Sequence, residues 1–412
     1  MKKKIFVRGP VLSQSGYGEQ SRFALRALRS REDIFDIYVQ PIPWGQTGWI
    51  WEDNEFRQWL DSRITQTQLL LQQQQLRPDV SLQITIPNEF QKICPENIGY
   101  TAGIETSKVS PQWLQKGNEE VDKILVVSEH AKTTYQNTTA LAHDQTGKQV
   151  NYKLETPIEV VHECTPRVEA EDISELDLTT DFNFLLVSQM GPRKNYLQSI
   201  QGWVEEFHDQ EVGLIVKTSI RNNSHVDSVE TYRTLETILQ NHKDRKCKVY
   251  MLHGDLTAGQ MTGLYSNPKV KAMINIAHGE GFGLPLFEAA REGLPIVTIG
   301  WSGQQDFLTY DGKQYFQCVK HTLETVPREA VWDGVIVADS EWAAPTQGSY
   351  KMALRKIYKH WDDAKETATE LQGLLEENFS EEKLYKGFCA SIYNPSDEEL
   401  EWMKELSEIE ML

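Results

Sequence analysis

The sequence predicts an α/β protein built from two doubly wound halves, each around a parallel sheet. Three observations predict it. Short apolar runs alternate with helical patterns along most of the chain, the signature of parallel sheets with crossover helices. The alternation restarts at Phe182-Asn-Phe-Leu-Leu-Val-Ser188, after the acidic stretch Val168 to Asp181, which is poor in large apolar residues and reads as a linker. The length, 412 residues, exceeds what one average core holds.

The N-terminal half, 1–167, opens with strand Lys4-Ile-Phe-Val-Arg8, a loop ending in Gly16-Tyr17-Gly18, and a helix through Phe23-Ala-Leu-Arg-Ala-Leu28. Further strands are expected at Asp36–Val39, Val80–Ile86, Ile98–Ala102, Lys123–Val127 and Ile158–Val161. Helices are expected at Asn54–Leu60, Thr65–Leu76, Pro111–Asn118 and Ala131–Tyr135. Leu141 to Thr156 is polar and aperiodic and reads as an inserted loop or hairpin. The second half, 168–379, continues with helix Leu197–Phe207, strand Val212–Thr218, helix Val229–Leu239, strand Lys248–Leu252, helix Gly259–Tyr265 and strand Ala272–Ile276. Residues 380–412 read as helices packing back across the N-terminal half. There Ser396-Asp-Glu-Glu399 has capping-box spacing before Trp402, Met403, Leu406 and Ile409.

Composition narrows the class. Hydrophobic residues make up 39% and charged residues 25%, ordinary for a globular protein. No run reaches the roughly 18 apolar residues of a membrane span, and Ile5-Phe6-Val7 after the N-terminal lysines is too short for a signal-peptide core. The five cysteines (94, 164, 247, 318, 389) form no C-x-x-C pair and read as reduced thiols of a cytoplasmic protein. The net charge of −18 counts against extended nucleic-acid contact, although Asp397 to Glu410 alone carries seven acids and one lysine.

The most informative segment is Asn275-Ile-Ala-His-Gly-Glu-Gly-Phe-Gly-Leu-Pro-Leu-Phe-Glu288. A strand-like run, Lys271 to Ile276, leads in. A helical run, Pro285 to Glu292, leads out, and Gly293-Leu-Pro-Ile-Val-Thr-Ile299 reads as the next buried strand. An acid, a glycine turn and a helix N-terminus therefore fall at the carboxyl end of a parallel strand, where open α/β sheets bind ligands and where helix N–H groups favour phosphate. Taken as a lone pair, Glu280 and Glu288 would be acids near a helix start. Likewise Arg193-Lys194 alone would be an exposed basic turn, although two cations after a strand also suit a pyrophosphate leaving group.

In combination these residues carry a resemblance. Glu280-Gly-Phe-Gly-Leu-Pro-Leu-Phe-Glu288 with its Gly293-Leu-Pro-Ile-Val297 ending resembles the Glu-x7-Glu signature of retaining GT-B glycosyltransferases of family 4, the glycogen-synthase and sucrose-synthase type. Val187-Ser-Gln-Met-Gly-Pro-Arg-Lys-Asn195 resembles that family's first strand and loop of the donor domain, and Trp301 to Leu308 its next glycine-rich loop. The resemblance implies a GT-B fold, two Rossmann-like domains facing a cleft, with the acceptor bound by the first and a nucleotide sugar by the second. It implies that Arg193 and Lys194 stabilise the departing diphosphate, Glu280 contacts the transferred sugar and Glu288 holds the ribose. The backbone of Gly281, Phe282, Gly283 and Leu284 would contact sugar and phosphate oxygens, with the loop Gly16, Tyr17, Gly18 facing the phosphate across the cleft. Leu252-His-Gly-Asp-Leu256 falls where the nucleobase docks, which points to His253, itself open to reading as a strand-end cap.

On the acceptor side, Tyr100-Thr-Ala-Gly-Ile-Glu-Thr106 and Val121 to His130 resemble a subgroup carrying Glu-Thr after that strand and Val-x-Ser-Glu later. Glu105 or Thr106 then stands where many relatives place a histidine. Glu105 reads either as an acceptor-hydroxyl contact or as a loop acid tied to Lys108, and His130 as a cleft residue or a neighbour of a helix N-cap. No Asp-x-Asp pair occurs, so neither an essential metal nor another cofactor is expected. The acceptor class implied is a saccharide or glycolipid hydroxyl, with peripheral membrane contact left open. The alternatives are a hydroxymethylated pyrimidine in phage-type DNA and a non-catalytic nucleotide-sugar-binding scaffold. Donor base, sugar and oligomeric state are not legible.

Overall fold

The computed structural model describes residues 2–143, 148–173 and 176–410. The first half contains β1 (Lys3–Gly9), α1 (Gly16–Arg29), β2 (Phe35–Pro41), α2 (Glu55–Gln72), β3 (Val80–Ile84), β4 (Glu96–Thr101), α3 (Pro111–Glu120), β5 (Lys123–Val126) and α4 (Glu129–Asn137). A polar hairpin, β6 (Ala140–His143) and β7 (Gln149–Tyr152), leads to β8 (Ile158–Val160). The hairpin falls in the stretch expected to be an insertion, of which 144–147 lie outside the described residues. The sheet is parallel, in the order β2-β1-β3-β4-β5-β8.

The second half follows the same logic. It contains β9 (Asn183–Val187), α5 (Tyr196–Phe207), β10 (Gly213–Thr218), α6 (His225–Leu239), β11 (Lys248–His253), α7 (Ala258–Ser266), β12 (Val270–Asn275), α8 (Leu284–Arg291), β13 (Ile296–Ile299) and α9 (Gln305–Leu308). A small hairpin, β14 (Thr309–Tyr310) and β15 (Lys313–Gln314), precedes β16 (Gln317–Val319), the last strand of a parallel sheet ordered β11-β10-β9-β12-β13-β16. A second hairpin, β17 (His321–Thr325) and β18 (Glu341–Pro345), leads into α10 (Gln347–Lys359), α11 (Trp361–Asn378), α12 (Glu381–Ile392) and α13 (Asp397–Glu410).

Each strand order reverses once, between β1 and β3 in the first sheet and between β9 and β12 in the second. Such switch points open a crevice at the strands' carboxyl ends. The Gly16-Tyr17-Gly18 turn follows β1. Arg193 and Lys194 follow β9, and Glu280 follows β12. Topology alone thus places the second group of residues in one crevice.

Local chemistry explains most element ends. Ser15 caps α1 by accepting from the Gly18 N–H, and Asn54 caps α2 through the Arg57 N–H. The two helices expected at 54–60 and 65–76 are one. Asp61-Ser-Arg-Ile64 holds no breaker, and Leu60, Ile64 and Thr67 share the buried face of a continuous α2. Ser396 and Glu399 exchange both capping-box bonds ahead of α13, whereas the side chains of Met403, Leu406 and Ile409 lie outside the described residues. The two hairpins after α9 are built from strands too short to leave a periodic signal.

The chain's last third returns to the first half. Phe388 of α12 is buried, its ring 5.5 Å from Phe23 of α1 and 5.6 Å from Tyr100 of β4, and the Cys389 thiol donates to the Ala27 carbonyl. Among the described residues no helix is long and apolar enough to cross a membrane. Truncating Phe388 to Ala should cost about 3–5 kcal/mol of stability in urea titration. Trp402→Ala, on an exposed ring, should stay within about 0.5 kcal/mol.

Candidate functional site

Glu280 is the best-anchored carboxylate of the crevice. Its Oε1 accepts from Lys194 Nζ at 2.6 Å and from Asn275 Nδ2 at 2.9 Å. Its Oε2 accepts from Lys194 Nζ at 2.7 Å and from Arg193 at 3.3 Å. The backbone is held as firmly. The Glu280 N–H donates to Ser302 Oγ and its carbonyl accepts from the Gly303 N–H, both at 2.9 Å. Ser302 adopts φ +73° to do so, a conformation unfavourable for a side chain with a Cβ. The loop at 301–308 therefore acts as a brace for Glu280.

Arg193 bridges the two halves. One guanidinium nitrogen donates to the Gly279 carbonyl at 2.7 Å, and the other meets Glu105 Oε1 at 3.0 Å. Glu105 comes from the loop after β4, so the two carboxylates and two cations form one buried cluster across the cleft. Burial pushes the Glu280 carboxyl up, but Lys194, Arg193 and the hydrogen bonds from Asn275 and Lys194 outweigh it and hold it at about 2. For Glu105 burial prevails, and its carboxyl lies above the usual range despite Arg193 and Lys194. Burial and the neighbouring Arg193 pull Lys194 down, against Glu280.

The backbones meet closely at the same place. A Cβ on Gly279 would stand 2.2 Å from the Glu105 carbonyl oxygen, and one on Gly281 would stand 1.8 Å from that of Ala102. Only glycine permits this approach. Ser128 adds a hydrogen bond across the cleft to the Gly281 carbonyl at 2.7 Å.

Glu288 lies one turn further along α8, where its Oε2 accepts from the Tyr265 hydroxyl at 2.9 Å. It lines a cavity of about 480 Å³ shared by both halves, with Gln14, Ile50, Lys217, Asp255 and Leu256 also in its wall. Burial raises the Glu288 carboxyl, against the Tyr265 hydrogen bond and Arg291. Gly283 begins α8 at φ +97°, which explains the glycine there, and Leu284 is the helix's first residue. Phe282 turns inward, 2% exposed, against Phe287 and Phe307, so only its backbone faces the site.

Other expected site residues are placed differently. Tyr17 bonds Thr101 and accepts from the Ala102 and Gly103 N–H groups. Its hydroxyl is spent on pinning the loop that carries Glu105. Gly16 has open space around it, whereas a Cβ on Gly18 would stand 2.0 Å from the Ser13 carbonyl oxygen. His253 Nε2 is paired with Asp227 Oδ1 at 2.8 Å, and Asp227 also accepts from the Ile220, Arg221 and Asn222 N–H groups. This makes His253 a fixture of the strand end, with that nitrogen unavailable to a nucleobase. Thr106 donates within its own loop, to the Lys108 carbonyl. Glu105 is not tied to Lys108, which pairs with Asp339 at 2.7 Å. His130 sits edge-on to Trp301, ring centroids 4.8 Å apart, with Nε2 buried and unpartnered. Burial lowers its imidazole to about 4. Asn275, Ser302, Ser128 and Asp255 lie inside the segments that point to a site or carry the resemblance but were not singled out as site residues, and Lys217 carried no such signal at all. Among the described residues no group of His, Cys, Asp and Glu is arranged to hold a metal.

Comparison with known proteins adds to this geometry. No family model matches the chain. Over 118 residues it is 30% identical to the serotype-specific mannosyltransferase WbdA of Escherichia coli, a match covering 28% of this chain and 13% of that protein. The chain thus spans only a small part of that relative's length. Among solved structures it resembles sucrose-phosphate synthase from Thermosynechococcus elongatus, with TM-score 0.61 and 11% identity over 95% of this chain and 98% of that one. It also resembles HepE of Anabaena, solved with UDP and glucose, with TM-score 0.57 and 11% identity over 96% and 100%. The fold is that of the GT-B glycosyltransferases. At such identity the likeness carries the architecture and nothing finer about this chain.

The cluster makes a stability prediction. Glu280→Gln takes from Lys194 its carboxylate partner and from Arg193 one of two, Glu105 remaining, and should cost about 3 kcal/mol at neutral pH. The Glu280 carboxyl lies below its unfolded value of about 4.3, so its stabilisation is present above that pH and is lost as pH falls toward 2. In denaturant titrations the gap between wild type and Glu280→Gln should therefore narrow on acidification through that window.

Proposed function

We propose that the chain is a nucleotide-sugar-dependent glycosyltransferase that acts with retention of anomeric configuration, in the manner of family 4, on a saccharide or glycolipid hydroxyl. The observation that carries the reading is Glu280, buried at the switch point of the second sheet between Lys194 and Arg193 and faced by Glu105 from the other half. An open crevice of a doubly wound sheet is a ligand site, and perturbed, buried ionisable groups concentrate where chemistry is done. The mannosyltransferase relative and the sugar-transferring structural neighbours support the same activity.

The chemistry follows from the charges. As the bond between the anomeric carbon and the diphosphate oxygen breaks, its electron pair moves onto the diphosphate. Lys194 and Arg193 meet that charge; with three and five N–H donors respectively, each has bonds to offer beyond those Glu280 takes. The N-terminus of α8 adds its dipole. Positive charge develops at the anomeric carbon, and the Glu280 carboxylate, held ionised by its neighbours, opposes it. The acceptor oxygen attacks from the face the diphosphate leaves, and its proton passes to a diphosphate oxygen. Glu288 would hold the ribose hydroxyls and Glu105 would contact the acceptor hydroxyl. His130 and Thr106 border that side.

Two experiments test this. In steady-state kinetics, Glu288→Gln should mainly raise the donor KM, whereas Glu280→Gln should mainly lower kcat. Full residual activity in both would return the pair to a structural role. Because the cations of this scheme are side chains, transfer should persist in excess EDTA. Complete loss restored by manganese would replace the charge clamp with a metal-held diphosphate.

A further inference from the structure

The cavity beside Glu288 contains a second charged pair that the proposed chemistry does not use. Lys217 is the next-to-last residue of β10 and Asp255 follows β11, the adjacent strand, with Lys217 in register with Leu252. Both residues line the cavity. Each feels the other's charge: burial lowers the Lys217 ammonium while Asp255 and Glu288 raise it, and burial raises the Asp255 carboxyl while Lys217 and His253 lower it. Yet among the described residues they form no ion pair. Asp255 Oδ2 is shut off from solvent with no hydrogen-bond partner. A Cβ on Gly48 of the first half would stand 3.5 Å from this oxygen. A buried acceptor without a donor is costly, and a ligand that brings donors removes that cost. The cavity that holds the pair mixes apolar side chains, Ile50, Leu256 and Met261, with charged ones such as Arg22, Glu52 and Arg57, and apolar walls with a few polar groups suit a small molecule. The Asp227–His253 pair fixes the two loops that frame it.

We infer that Lys217 and Asp255 read the Watson–Crick edge of the donor's nucleobase and select guanine, so that the donor is a guanosine diphosphate sugar. This rests on the donor site proposed above. Guanine presents the O6 acceptor next to two donors, N1–H and the 2-amino group. Lys217 Nζ donates to O6, and the Asp255 carboxylate accepts from N1–H and N2–H. Uracil offers the carboxylate one N–H and sets a carbonyl oxygen against its other oxygen. Adenine offers one donor and one acceptor. Ribose hydroxyls would satisfy a carboxylate equally well, but they give no role to the lysine beside it. Two solved neighbours hold uridine nucleotides, but at 10% and 11% identity they set no base for this chain.

Calorimetric titration of the whole protein with free nucleoside diphosphates tests the assignment. GDP should bind at least about tenfold more tightly than UDP or ADP, and IDP, which lacks only the 2-amino group, should bind about tenfold more weakly than GDP. Asp255→Asn should lose affinity for GDP and gain relative affinity for XDP, whose 2-oxo group accepts from the new amide; a merely structural role would not produce that exchange. The IDP comparison needs no variant and stands even if Asp255→Asn fails to fold. UDP or ADP binding as tightly as GDP, or IDP matching GDP, overturns the base assignment while leaving the diphosphate site intact. Failure of every diphosphate to bind overturns the donor site as well.

Discussion

Four charges, Glu280 and Glu105 against Lys194 and Arg193, meet at the centre of this molecule, Glu280 buried and the other three largely so. Taking charges out of water is expensive, and a buried ion pair often adds no net stability over an apolar replacement. The cluster is therefore poorly explained as a device for folding. It is well explained as a prearranged field, because three of its members are oriented from outside it. Asn275 and the Ser302–Gly303 backbone orient Glu280, the Gly279 carbonyl orients Arg193, and Tyr17 pins the loop of Glu105. Glycines at 279 and 281 then let the two halves approach until backbone meets backbone. Arg193 is the only one of the four whose ion pairs reach carboxylates of both halves among the described residues.

Sheet order turns this local cluster into a site. The two sheets reverse direction at β1/β3 and β9/β12, and each reversal points a crevice at the other half. The diphosphate grip follows β9 and the sugar-facing acid follows β12. The cavity with Lys217, Asp255 and Glu288 is walled from the first half by residues that include Gln14 and Ile50. One end of the cleft is thus rich in paired charge and suits a diphosphate and a reacting sugar. The other, the cavity, mixes apolar and charged walls and holds Lys217 and Asp255, which form no ion pair among the described residues; the proposed nucleobase would sit there.

Much of this was legible in the sequence, for a physical reason. Glu280, the glycine turn and Glu288 lie within one strand–turn–helix unit, so their spacing encodes their geometry. The same holds for Arg193 and Lys194 after β9. The parallel sheets were legible because buried strands need continuous apolar runs. What was not legible depends on contacts distant in sequence. The Arg193–Glu105 pair joins residues from different halves, and nothing local in Glu105 distinguishes it from an acid tied to Lys108. His253 read as a nucleobase contact or a strand-end cap, and its partner, Asp227, sits on another element. Tyr17 looked like a cleft residue because Thr101 and Gly103 are far from it in the chain. Phe282 stood inside the motif, yet its ring belongs to the core. Strands β15 and β17 are polar and mostly exposed, and β18, which buries Trp342 and Ala343, is too short to show a clear alternation, so they left no pattern to read.

The most direct test of the account is a thermal-shift titration with nucleoside diphosphate sugars, on wild type and on Lys194→Ala. A ligand that binds only the folded state raises the melting temperature with its concentration. The account predicts such a rise for wild type with at least one nucleotide sugar, and its loss in a Lys194→Ala variant that still unfolds cooperatively. An undiminished shift in that variant, or no shift with any nucleotide sugar in wild type, would contradict it.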